Sequence, residues 1–299
     1  MELDNFQSLS FSFLKRESPA IRELLESTVG RDRTTEKYKQ FKKIILHILW
    51  LINPFYLDEN GNEKVRDNEL DENGEAAFLI AHPRKVATLA FQLFPQDIST
   101  LPQEEQKKLE FLMTDDAREM IITAFFHDFI EDVFKGDFLK PHPKTGKTAG
   151  QTIQDFLDDP AFNIPPAVQK QIWKRIIILT KPEYEKDKTL NEEVNALLYL
   201  EHYEGYLQEI INSGDPICQY IKLIAIFQNA QSEKKHGSIV KREGKAKLQA
   251  AFIKKVFPGL AKQLLQKYPD FFEKLKDRNL VEELQQQIQN RVGDVIEEK

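Results

Sequence analysis

Between residues 121 and 132 the chain reads ITAFFHDFIEDV, which sets His127, Asp128, Glu131 and Asp132 into an otherwise apolar segment. Charged side chains are rarely buried unless they are paired or bind a metal. On one continuous helix His127 and Glu131 are four residues apart, as are Asp128 and Asp132, so all four groups share one side. Three carboxylates this close repel one another, and the wall of Phe125, Phe126, Phe129 and Ile130 strengthens the repulsion by lowering the local dielectric. A divalent cation is the simplest remedy. His127 and Asp128 would supply a nitrogen and an oxygen ligand, and Glu131 and Asp132 would orient or deprotonate a water. The competing reading is an ordinary wet helix edge, with His127 satisfied between helices.

The elements that must position these residues have almost entirely helical spacing. Tyr38, Phe41, Ile45, Ile48 and Ile52 form one stripe, ended by Pro54. Residues 57–74 carry repeated Asn-Gly signals and read as a polar excursion or short hairpin. His82 precedes Pro83, a residue suited to the first helical position, and Val86, Leu89, Ala90 and Leu93 continue that helix. Thr114-Asp115-Asp116 opens the helix that carries the cluster, and its acidic start favours the helix dipole. The Gly- and Pro-rich segment 135–148 is a lid or an insertion. Helices are expected over 149–158, 166–181 and 191–212, the last ended by Gly214, and another from Asp215-Pro216 to Ser232. The pattern lacks a phosphate-binding Gly-rich loop and a βαβ alternation, so the fold class is all-α or nearly so.

Composition narrows the function classes. The 299 residues are 41% apolar, enough for a substantial core, and the net charge of −6 is spread over interspersed acids and bases. No single-sign field draws the chain to nucleic acid or an anionic membrane. The single cysteine, Cys218, lies among apolar residues and reads as a buried, inert thiol. Apolar runs such as ILWLI at 48–52 fall well short of the roughly 20 residues of a membrane span. With no signal-peptide pattern either, a cytoplasmic location is expected.

Four stretches taken in order sharpen the reading: GEAAFLIAHPRKVATLAFQLF (74–94), FFHDFIEDV, WKRIIILTKPE (173–183) and IKLIAIFQNAQS (221–232). Together they resemble the HD-domain metallophosphohydrolases, most closely the RelA/SpoT type that hydrolyses the alarmone (p)ppGpp. The resemblance spans about residues 35–232 and implies an HD-type helical bundle. It further implies His82, His127 and Asp128 as ligands of a divalent metal, Mn foremost, with Glu131 and Asp132 as the catalytic pair acting on water. Asn229 would touch the nucleotide, and Arg84, Lys85 and Lys181 would contact phosphate or base. The family's fourth metal ligand, an aspartate, aligns with Ala225, and a methyl group cannot coordinate a metal. Asp215 cannot replace it from the same helix, being about 15 Å away along the axis. Gln228 and Asn229 lie on the face of Ala225, but neutral amides are poorer ligands.

The implied organisation is an N-terminal extension (1–34), the HD-type helical domain (35–232), a charged linker (233–245) and a C-terminal helical extension (246–299) that offers a surface for a protein partner. Three functions compete: a metal-dependent phosphohydrolase acting on a nucleotide or alarmone, a degenerate HD protein that binds a nucleotide or protein without turnover, and a helical scaffold. His47, His142, His202 and His236 read as packing or surface residues.

Overall fold

The computed structural model describes residues 36–56, 64–70, 76–78, 116–160, 162–232 and 239–267, with isolated positions at Asn60, Pro83, Val86 and Ala87. Among these the elements run α1 (Glu36–Ile52), a 3-10 turn (Asn53–Tyr56), strands β1 (Val65–Leu70) and β2 (Ala76–Phe78), then α2 (Asp116–Phe126) and α3 (Phe129–Phe134). They continue with α4 (Ala149–Leu157), α5 (Pro166–Leu179), α6 (Glu192–Ser213), α7 (Pro216–Ser232) and α8 (Ile239–Lys267). The fold is all-α, with one short antiparallel pair in which Val65 faces Phe78 and Leu70 faces Ala76. That pair sits in and just beyond the polar excursion expected at 57–74. His82, Arg84 and Lys85 lie outside the described residues.

The core explains where α3 sits. Ile45, Ile48, Leu49 and Ile52 form the buried stripe of α1, and Ile121, Ile122, Phe125 and Phe126 form that of α2. Each fully buried side chain of this size contributes about 1.5–3 kcal/mol. Phe129 is the hub of an aromatic cluster, with ring centroids 5.6 Å from Phe126, 5.5 Å from Phe134 and 5.3 Å from Phe55. Such edge-to-face pairs add about 0.5–1.5 kcal/mol each beyond area burial. They seat α3 on its apolar side, so Glu131 and Asp132 are carried toward the partly exposed side.

Local signals account for several helix ends. Thr148 and Gln151 form a reciprocal capping box at α4, Pro166 opens α5, and the Asn191 side chain accepts the Val194 amide at α6. Gly214 ends α6 in the left-handed conformation at φ 61°. Asp215 then accepts the amides of Ile217 and Cys218 through Oδ1. Its other oxygen accepts from Arg175 Nε at 3.0 Å, and Arg175 also pairs with Glu119. This buried ionic group ties α2, α5 and the start of α7 together.

Two expectations need correction. The cluster helix is not continuous, because a turn at His127 and Asp128 separates α2 from α3. The linker expected at 233–245 is helical from Ile239, and α8 runs through residues 245 and 246 without a break. Ala246, Phe252, Ile253 and Val256 of α8 are buried in the same core cluster as α6. The charged sequence there belongs to a helix with one apolar face, and such a face overrides the overall polarity of a segment. Contacts from Lys241 to Tyr199, Gln249 to Tyr203 and Lys255 to Gln208 show that α6 and α8 run parallel.

Candidate functional site

The interruption after α2 gives His127 and Asp128 their geometry. Adjacent residues on a regular helix point about 100° apart, whereas here Asp128 occupies φ −103°, ψ −2°, the region where many active-site residues sit. His127 Nε2 therefore approaches Asp128 Oδ2 to 3.2 Å. The other ring nitrogen, Nδ1, lies 2.5 Å from the Ala124 carbonyl oxygen. That carbonyl belongs to the last turn of α2, where helix carbonyls need external donors. Donation from Nδ1 fixes the tautomer and leaves Nε2 as the nitrogen facing the carboxylate, the arrangement typical of a metal-ligating histidine. His127 is 1% exposed and Asp128 15%. The break is local, since the Asp132 amide still donates to the Asp128 carbonyl at 2.7 Å.

Glu131 is held by an ion pair with Lys181. Lys181 follows the end of α5, where Thr180 turns the chain into extended backbone and Tyr206 donates its hydroxyl to the Leu179 carbonyl at 2.5 Å. Burial works against the Lys181 charge, but Glu131, with help from Tyr199 and Asp128, holds its pKa above the ordinary lysine value. The segment after it is pinned by the buried Asn195, which donates to the Asp187 and Leu190 carbonyls and accepts the Asp187 amide.

Glu131 and Asp132 form one edge of a cleft of about 440 Å³ that reaches Lys181, Tyr184, Tyr199 and Lys241. Cavities of a few hundred Å³ accommodate small-molecule ligands. Its walls mix cations, carboxylates and aromatic rings. Lys241 Nζ lies 4.0 Å from the centroid of the Tyr199 ring, and that ring stacks parallel to Tyr203.

Of the residues singled out in the sequence, His127, Asp128, Glu131, Asp132 and Lys181 are brought together. Ala225 is buried on α7 at 3% exposure. Asn229 lies one turn further along and is partly exposed, and it does not line the cleft. Asp215 caps the start of α7, as expected, and also pairs with Arg175. Cys218 is buried, and its surroundings raise the thiol pKa, which makes it inert. His47 packs against Phe162 and faces Asp159, His142 packs against Phe55 and Phe134, and His202 bonds the Pro182 carbonyl.

The sequence reading missed Lys222, Tyr199, Tyr203 and Tyr206. Their spacing was the available signal: the tyrosines recur at i, i+4 and i+7, and Lys222 precedes Ala225 by one helical turn. No family model, curated protein or solved structure matches this chain.

A divalent cation of the Mn type takes nitrogen and oxygen donors. His127 and Asp128 fit two positions of such a site, one nitrogen and one oxygen from a constrained turn. Among the described residues no group of three or more His, Cys, Asp and Glu side chains is arranged to hold an ion. The third expected ligand, His82, lies outside them. Nor does any described helix have the length and apolarity to cross a membrane.

Proposed function

We propose that the protein is an HD-type metal-dependent phosphohydrolase acting on a nucleotide or alarmone such as (p)ppGpp. The observation that carries this reading is the oriented His127–Asp128 pair beside two carboxylates at the edge of a lysine- and tyrosine-lined cleft. His82, His127 and Asp128 would hold the ion, which when bound would supply Lewis-acid polarisation and acidify water. Glu131 and Asp132 would orient the attacking water and take its proton. The ion pair with Lys181 holds the Glu131 carboxylate in place at the edge of the cleft, where it can meet a water.

A second reading, a degenerate HD protein that binds a nucleotide or protein partner without turnover, draws on the buried Ala225 methyl. That side chain stands where the resemblance expects a carboxylate ligand.

The two separate in one experiment. Purified protein supplemented with Mn²⁺ is assayed for bound metal and for phosphate or pyrophosphate release from nucleotides and (p)ppGpp. About one equivalent of metal with release supports the hydrolase. Ligand-raised melting temperature without release supports the binder. Neither response would leave only a scaffold.

A further inference from the structure

Lys222 projects from α7 one turn before Ala225. Its ammonium lies 4.6 Å from the ring centroid of Tyr206 and 5.9 Å from that of Tyr203, and it donates no hydrogen bond to any described residue. Burial lowers its pKa; Asp128 and Glu131 are near enough to favour its charge, and Lys181 and Lys245 near enough to oppose it. Ring faces attract a cation, but they do not satisfy three N–H donors as oxygen acceptors do. A half-buried ammonium in that state suits an acceptor that brings its own negative charge.

The surrounding charges permit such an acceptor. The acids near the Lys222 ammonium, Asp128 and Glu131, are matched in number by Lys181 and Lys245, so they do not present a net negative field that repels an anion. A phosphoryl group supplies several oxygens and spreads its charge over them, whereas a lone carboxylate cannot bridge two separated ammoniums as readily. Met at position 222 would retain the stem that packs on the tyrosine rings, which separates the charge from the packing.

We propose that Lys222, together with Lys181, forms a phosphate-binding position beside the His127–Asp128 pair, in which the ammonium groups hold phosphoryl oxygens directly. This rests on reading the site as one for phosphorylated ligands and adds a residue and a mode of recognition to it.

Inorganic phosphate titrated into the full chain in EDTA, at ionic strength held constant with chloride, tests the position by calorimetry and melting temperature. The wild type should bind phosphate saturably and melt higher as it does so. Lys222→Met should weaken phosphate binding by about tenfold or more, and Lys222→Arg should retain most of it. Lys222→Gln is the substitute should the Met variant not fold. No saturable binding by the wild type, or unchanged affinity in the folded Met or Gln variant, overturns the proposal. Phosphate binding through Lys222 in a protein that releases nothing from nucleotides with Mn²⁺ overturns only the hydrolase reading. Hydrolysis by the wild type alongside unchanged phosphate affinity in the Met variant overturns only the phosphate position.

Discussion

His127 anchors one ring nitrogen on the Ala124 carbonyl at the end of α2 and turns the other toward Asp128, while Glu131 and Asp132 stand at the cleft. This division of position argues for a division of labour. Under the proposed hydrolase reading, Glu131→Gln and Asp132→Asn should each lower hydrolysis by about 10²- to 10⁴-fold, the usual contribution of a general acid or base, while bound metal stays nearly constant. His127→Ala should lose both activity and metal. Equal metal loss in all three variants, measured beside phosphate release, would refute the separation. The four residues were legible because they are close in sequence and chemically out of place in an apolar segment. Lys181 was legible as a cation, but its pairing with Glu131 joins positions 50 residues apart and follows from packing. Lys222 was hidden because a lysine in a helix has a far commoner explanation as a solvated residue.

At the level of elements, helical periodicity located α1, α4, α5, α6 and α7 to within a few residues, because each has a buried face and a recognisable end. The interruption between α2 and α3 left no such mark. Neither Gly nor Pro occurs there, and the break follows from how the Phe129 cluster seats α3. The facing helix α7 carries Ala225, whose substitution separates a depleted metal site from a closed one. Ala225→Asp should raise Mn²⁺ affinity about tenfold or more if it restores a ligand, since even changes around the ligands alter affinity about 10- to 100-fold. Lower melting at every Mn²⁺ concentration, without added uptake, would instead mark a buried unpaired carboxylate.

The 135–148 segment supplies a pH prediction. His142 is buried against Phe55 and Phe134, and burial, with Lys64 and Lys144, holds its pKa below 6.5. The unfolded chain takes up the proton first as pH falls, so this contribution to stability is complete above about pH 6.5 and declines as the pH drops toward the depressed folded value. Melting temperature recorded from pH 7.5 to 5 should fall, and His142→Phe should show a shallower fall. Identical slopes would remove His142 as the source.

Across the whole molecule, the ionic group of Glu119, Arg175 and Asp215 holds three helices at one point that is 11–12% exposed. Arg175→Met should destabilise the fold by about 3–5 kcal/mol, because two buried carboxylates lose their partner. Urea denaturation would read this as a lower midpoint with an unchanged slope. The parallel packing of α8 on α6 was not legible from local sequence, since the charged start of α8 resembles a connector and its partner lies some forty residues earlier. That pairing also orders events during synthesis. The acids at 131 and 132 leave the ribosome more than a hundred residues before Lys241, and the buried α8 residues emerge later still. A nascent chain therefore carries the carboxylates at 131 and 132 long before the wall that completes their cleft, and the cleft takes shape only once α8 has emerged.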